Sequence, residues 1–295
     1  MVENQYRILL GLINEEAQGT MIIDFHTHIF SLQKAPIILS ELSERADIPH
    51  FTNGTLPGLL NSMEKAGINL SLISRITTRA EQVVSVNQWL HDKKRENILA
   101  MATLHPDKQD PEYIKQLKDL GFKGIKLHPD YQGFYADDKR MFPLYEVLQS
   151  LQMPVLFHAG LDRGLPPPYR AMPLRLLNIH REFPQLMMVA AHMGGEDNYE
   201  ETEEYLLGTN IYLDTAFVLR TMDRTLLNRF FHKHPIDRFV FGSDSPFSDQ
   251  SEDLRYLLNL PFLTHEEKEK IAGKNAAELL GIGTLMSAHR AIFVS

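Results

Sequence analysis

The chain has 295 residues, 43 % of them hydrophobic, a formal charge of -8 at pH 7 and no cysteine. The negative balance, with no basic run, argues against a nucleic-acid partner. Without cysteine there is neither disulfide nor thiolate, so any metal must rest on His, Asp or a modified Lys, and a reducing, cytoplasmic setting is expected. No apolar stretch approaches the roughly 18 residues of a membrane span, and the first residues lack the pattern of a secretory signal.

In chain order, residues 1–20 read as an extension outside the main domain, with one short amphipathic helix over 6–13. From Met21, apolar or β-branched runs predict strands over 21–27, 69–74, 98–104, 124–128, 154–158, 187–192, 211–215 and 239–243. Helical spacing fills the intervals over 79–96, 111–120, 142–151, 174–183, 199–207 and 226–231. A last helix spans 264–280, with Thr264 and Glu267 placed as a capping box. Eight strands alternating with helices predict one α/β domain over 21–282, a (β/α)8 TIM barrel, followed by a tail over 283–295. An open doubly wound sheet would need a glycine-rich phosphate turn after an early strand, and none is present. The long loop over 29–56 leaves a lid and a subunit contact both open, so a homo-oligomer remains compatible.

Several strand runs end in a polar group suited to a metal: Asp24, His26 and His28 on the first, His128 on the fourth, His158, His192 and Asp244 later. The fourth also carries Lys126. Barrel enzymes gather their chemistry at the carboxyl ends of their strands, so these endings are expected to converge. Because strand side chains alternate, Asp24, His26 and His28 are predicted to share the interior face, with Ile23 and Phe25 turned to the helices. The same rule pairs Lys126 with His128, Leu156 with His158, and Ala190 with His192. A bare lysine cation inside a barrel needs a partner, a modification or solvent. Arg75, Arg163 and Arg170 follow strands two and five, where a guanidinium could grip a carboxylate. A small, anionic substrate is therefore expected. Asp214 closes strand seven and reads as structural.

These segments resemble the amidohydrolase superfamily, and within it the amidohydrolase-2 branch that contains aminocarboxymuconate-semialdehyde decarboxylase. The matching pieces are the run from Ile23 to His28, Gly121 to Pro129, His158-Ala159-Gly160, Ala191 to Gly195, Phe241 to Pro246, and Asn275 to Gly281. The resemblance implies that His26, His28, His158 and Asp244 bind a divalent metal, usually zinc. It also implies that His192 and Asp244 act on substrate or activated water. One ion is the expectation. Two remain open, with Lys126 carboxylated and His192 beside the second. His128 and Lys126 are further candidates for touching substrate. The leading reading is hydrolysis of a C–N or C–O bond in an amide, lactone or cyclic ester. The alternative is nonoxidative decarboxylation of a small unsaturated or aromatic acid. A noncatalytic metal-binding barrel is a third.

Overall fold

The computed structural model describes residues 21–282; the expected helix over 6–13 and the tail over 283–295 lie outside the described residues. The strands are β1 Ile23–His28, β2 Leu70–Ser74, β3 Ile98–Ala100, β4 Ala102–Thr103, β5 Ile125–Leu127, β6 Val155–Phe157, β7 Met188–Ala190, β8 Tyr212–Asp214 and β9 Phe239–Val240. Every neighbouring pair is parallel, in the order β1-β2-β3 and β4-β5-β6-β7-β8-β9.

The two sheets are one ring. β3 and β4 are a single strand interrupted at Met101, whose N–H donates to Ile73 O at 3.0 Å while Ala102 N donates to Gly124 O at 2.9 Å. At the other seam Phe25 N donates to Phe241 O (2.8 Å), Asp244 N to His26 O (2.8 Å) and His28 N to Ser245 O (2.7 Å). The eight predicted strands thus form the (β/α)8 barrel that their alternation implied.

A parallel barrel buries both faces of its strands, and two apolar layers follow. Ile73, Ala100, Leu127, Phe157, Ala190 and Leu213 pack with the helices. Leu72, Met101, Leu156, Val189 and Val240 fill the interior. The end of the last helix, from Ala276 to Ile282, joins the inner cluster.

The last helix is not uniform. His265–Glu269 opens with the predicted Thr264–Glu267 capping box, Lys270–Lys274 is a π turn, and Asn275–Leu279 resumes the α-helix. Such a turn loosens the helical ladder. Ile271 O accepts from Phe241 N at 2.8 Å. Gly273 lies so close to β1 that an added Cβ would stand 1.7 Å from Met21 O.

Three helices of nine or more residues lie where the sequence reading placed none. The predicted loop over 29–56 contains the helix Ala35–Ala46, and Leu56–Ala66 and Gln250–Leu258 are also helical. The last two begin at side-chain caps, Thr55 and Asp249. Ala35–Ala46 has no side-chain cap and buries only Ala35 and Leu39, so neither a capping residue nor a broad apolar stripe marks it. Among the described residues no helix is long and apolar enough to cross a membrane.

Away from the strand mouths, His234 is a buried structural imidazole. Gly208 N donates to its Nδ1 at 3.2 Å, and its Nε2 donates to Ile211 O at 2.9 Å. Burial pulls its pKa down to about 4, partly opposed by the Ile211 carbonyl. A depressed pKa contributes stability above the unfolded value near 6.5 and loses it as pH falls toward 4. Over that window the loss is about 3 kcal/mol. Urea unfolding at pH 7 and pH 4 is expected to show a smaller fall for His234→Gln than for the parent; equal falls would remove His234 as the cause.

Candidate active site

At the carboxyl ends of the strands lies a cavity of about 330 Å³. His26, His28, Arg75, Lys126, His128, His158, Arg163, His192 and Asp244 all line it. Arg170 does not. Its Nη1 donates to Pro168 O at 3.1 Å and stands 3.7 Å from Asp130. Arg163 is already engaged by Asp197 (2.9 Å) and Glu196 (3.2 Å).

β1 reaches the cavity by a route that simple alternation misses. Its register against β2 slips between Asp24 and Thr27, so a bulge re-aims the side chains beyond it. Ile23 and Phe25 join the inner cluster instead of facing the helices. His26 and His28 then line the cavity, while Asp24 turns away to Ser243 and Gln250. Asp24 Oδ2 accepts from Gln250 Nε2 at 2.7 Å and from Ser243 Oγ at 2.5 Å. Burial raises its pKa to about 7 against these hydrogen bonds.

His192 also departs from the predicted face. Ala190 packs in the outer layer and Ala191 in the inner one. The backbone turns left-handed at His192 (φ 58°) and Met193 (φ 55°), and this turn carries the imidazole into the site. Asp244 (φ 67°) and Phe217 (φ 67°) are left-handed as well. Each such residue costs about 1–3 kcal/mol unless its surroundings hold it. Here they do: His192 N donates to Asp214 Oδ1 (2.8 Å), Asp244 N to His26 O (2.8 Å) and Phe217 N to Ser243 O (3.2 Å).

Protonation states follow from these contacts. His26 Nδ1 lies 2.8 Å from Asp214 Oδ2, so it carries the proton and leaves Nε2 as a lone pair. His28 Nδ1 donates to Ser74 O at 3.1 Å, which likewise frees its Nε2. Asp244 Oδ1 then sits 3.0 Å from His28 Nε2 and 3.5 Å from His26 Nε2. Three acceptors face one another, an arrangement that a cation resolves. Metal–ligand bonds of about 2.0–2.2 Å place neighbouring ligand atoms roughly 3–3.5 Å apart, as found here. His26, His28 and Asp244 are therefore fit to hold a divalent ion.

His158 is reached through a relay. His192 Nδ1 donates to Ala216 O at 3.0 Å, leaving its Nε2 to accept from His158 Nδ1 at 3.1 Å. His158 Nε2 is left buried and without a partner, the state of a lone pair awaiting a ligand. By proximity of ligand atoms His158 groups with His192 and Glu196, and with His128 and Asp162, and not with the His26–His28–Asp244 trio. The His128 ring stacks on His158 at 4.1 Å and 7°, with its Nε2 at 3.1 Å from Asp162.

Electrostatics favour neutral imidazoles. Burial pushes the pKa of His26, His128 and His158 well below the usual value. Burial also draws Asp244 upward, and positive charge held between it and the rings of His26 and His28 outweighs that and keeps the carboxylate ionised. Lys126 falls to about 8 by burial, opposed by Asp214 and Asp244. Its Nζ lies 3.1 Å from His26 Nε2, so ammonium and metal compete for the same lone pair.

Glu196 was absent from the sequence reading. Gly160 (φ 90°) brings it in: a Cβ there would lie 2.2 Å from Glu196 N, and Leu161 N donates to Glu196 O at 2.9 Å. Burial raises Glu196 to about 7, against His192 and Arg163. The glycine after His158 and the acid shortly after His192 were the available signals. Asp214, read as structural, proves to orient both His26 and His192.

The chain belongs to the amidohydrolase family, whose pattern it matches over residues 23–282. No curated protein matches it. Solved structures of similar fold include the 5-carboxyvanillate decarboxylase of Sphingomonas paucimobilis, 15 % identical with a TM-score of 0.65, covering 90 % of this chain and 100 % of the other. A 2,6-dihydroxybenzoate decarboxylase in complex with 2,6-dihydroxybenzoate is 18 % identical with a TM-score of 0.68, covering 89 % and 99 %. The 5-carboxyvanillate decarboxylase of Novosphingobium aromaticivorans, with bound manganese and 3-methoxy-4-hydroxy-5-nitrobenzoic acid, is 16 % identical with a TM-score of 0.67, covering 91 % and 98 %.

Elemental analysis tests the ligand set. Asp244→Asn is expected to lose most bound metal, His158→Ala to lower bound metal or abolish activity, and Asp214→Asn to weaken metal affinity about 10–100-fold through loss of the His26 tautomer. His192→Ala is expected to keep most of it; loss of half would indicate two ions.

Proposed function

We propose that this protein is a metal-dependent, nonoxidative decarboxylase of a small aromatic or unsaturated carboxylic acid. The observation that carries the metal half of this reading is the convergence of Asp244 Oδ1 with the lone pairs of His26 and His28. Decarboxylation, ahead of hydrolysis, is supported by similar folds that bear the names of decarboxylases of hydroxylated aromatic acids. The cavity walls suit such a substrate: Phe30, Phe217 and Phe247 offer ring surfaces, and Arg75 and Lys126 offer positive charge. A volume of about 330 Å³ lies at the small end of ligand pockets and matches a single-ring acid.

We assign the ion to His26, His28 and Asp244, and propose the buried, unpartnered Nε2 of His158, which does not group with that trio, as a further donor. Zinc suits imidazole and carboxylate donors, and manganese is bound in one structure of similar fold. When bound, a divalent ion supplies positive charge that orients substrate oxygens and stabilises negative charge on them.

The protein's own groups handle the proton. Breaking the carbon–carboxylate bond leaves an electron pair on carbon, and a proton must take it as CO2 departs. Asp244 is assigned to protonate carbon: ionised at rest, it takes up a proton from solvent or from an acidic group of the substrate and passes that proton to carbon as CO2 leaves, returning to the carboxylate. His192, fixed by Ala216 O and Asp214, holds His158 in place. Lys126 adds a buried cation beside His26.

Hydrolysis is the second reading, favoured by one observation: an ionised Asp244 can take a proton from an attacking water. A panel of hydroxybenzoates, unsaturated acids, amides and lactones separates the two. The metal-loaded protein is expected to release CO2 from at least one acid, with chelation abolishing turnover. Asp244→Asn is expected to lower the rate about 100-fold or more. Cleavage of an amide or lactone without CO2 would replace decarboxylation by hydrolysis.

A further inference from the structure

His158 is held by a single side-chain hydrogen bond, from its Nδ1 to His192 Nε2 at 3.1 Å, and its Nε2 is buried without a partner. One contact at the edge of a ring fixes which nitrogen is free, but it leaves the ring able to swing about that edge. The plane of His158 is set by a second contact. The His128 ring lies face to face with it, centroids 4.1 Å apart and planes 7° from parallel. Burial keeps both imidazoles neutral, and neutral rings stack where two imidazolium faces would repel.

His128 is itself fixed from three sides. Its backbone N donates to Gln132 Oε1 at 2.8 Å, along the short helix Pro129–Gln132. Gln132 Nε2 donates in turn to Thr77 O (3.0 Å) and Leu104 O (2.6 Å), which ties His128 to the segments that follow β2 and β4. His128 Nε2 lies 3.1 Å from Asp162 Oδ2, which marks it as the protonated nitrogen. The ring also meets Tyr131 edge to face at 4.6 Å and 89°, and Tyr131 Oη accepts from Arg45 at 2.7 Å. Only Nδ1 is left, buried and without a partner.

His128 and His158 cannot serve one ion together in this arrangement, although their ligand atoms come close to each other and to Asp162. An imidazole lone pair lies in the plane of its ring, and parallel planes do not meet at an ion. The partners that orient metal-binding histidines usually hold one edge of the ring by a hydrogen bond. Here the second support is a stacked face.

We propose that His128 is a positioning residue: its ring is the shelf that fixes the plane of His158, and so the direction in which the free Nε2 points. The use made of that direction rests on the assignment of His158 as a donor to the ion, but the shelf itself does not.

Two readouts separate these parts. Zinc affinity of the metal-stripped full-length protein is measured by competition with a chelator, and side-chain 15N NMR of the zinc-free protein reports the His158 tautomer. His128→Ala is expected to weaken zinc binding about 10–100-fold, the range for groups that orient a metal-binding histidine, and to turn the single Nδ1-protonated form of His158 into a mixture. His128→Phe keeps a flat ring and gives up no hydrogen bond at Nδ1, so it is expected to recover most of the affinity and the single tautomer. A phenyl ring cannot replace a ligand or a substrate-binding imidazole. Losses in His128→Phe equal to those in His128→Ala would therefore overturn the proposal, as would unchanged affinity and tautomer in His128→Ala. If His158→Ala binds zinc as tightly as the parent, the donor assignment falls and the His158 tautomer alone decides the shelf. If His128→Ala does not fold, the Asp162 variants decide. Asp162→Ala, which frees one edge of the shelf, is expected to weaken zinc binding, while Asp162→Asn, which keeps an oxygen there, is expected to stay near the parent; equal affinities for the two would overturn the proposal.

Discussion

One buried carboxylate organises the mouth of this barrel. Asp214, at the end of β8, accepts from His26 Nδ1 with one oxygen and from the His192 and Ala216 amides with the other. The first contact fixes which nitrogen of His26 is free. The second pins the left-handed turn that delivers His192. The Ala216 carbonyl then sets the His192 tautomer, and His192 sets that of His158. A single acid, wholly buried, thus transmits one orientation to three imidazoles on three strands. Such a charge is tolerated because its oxygens are filled by donors, with His192 and Lys126 nearby to offset its burial.

This arrangement explains why the site contains so much left-handed backbone. His192, Phe217 and Asp244 leave their strands by φ values that side chains rarely adopt, and each is tied back by an amide hydrogen bond to a neighbouring strand end. A regular strand would keep successive side chains on opposite faces. Turning the chain sharply at its end lets residues from either face reach the same point. Rigidity in the barrel is what holds these turns, so the stability of the scaffold and the geometry of the site are one problem.

The sequence showed the barrel because β/α alternation is a property of short windows, and each strand carried its own apolar run. It marked His26, His28, His158, His192 and Asp244 as candidates because each terminates such a run, and all five line one cavity. It did not show the bulge in β1, since the register slip depends on β2 and leaves no mark in the residues Asp24 to Thr27. That slip moved Asp24 from the cavity side to Ser243 and Gln250. Glu196 went unmarked, and Arg170 lies off the cavity, for a related reason: loop residues are placed by their partners, here Gly160 and Asp130, and not by their spacing. The helix Ala35–Ala46, whose Ile38, Leu42 and Arg45 form one cavity wall, lacked a capping side chain to announce it.

The π turn near the end of the last helix carries a kinetic implication. The seam between β1 and the segment after β9 is secured from outside by Ile271 O and by the close seat of Gly273 on Met21. The two partners of that seam are separated by nearly the whole described chain. Closing so distant a pair requires most of the polypeptide to be assembled first, which makes ring closure a late and slow event in folding. Until it happens, Asp244 has no His26 carbonyl to rest on. The chemistry of the mouth therefore becomes available only when the floor is complete.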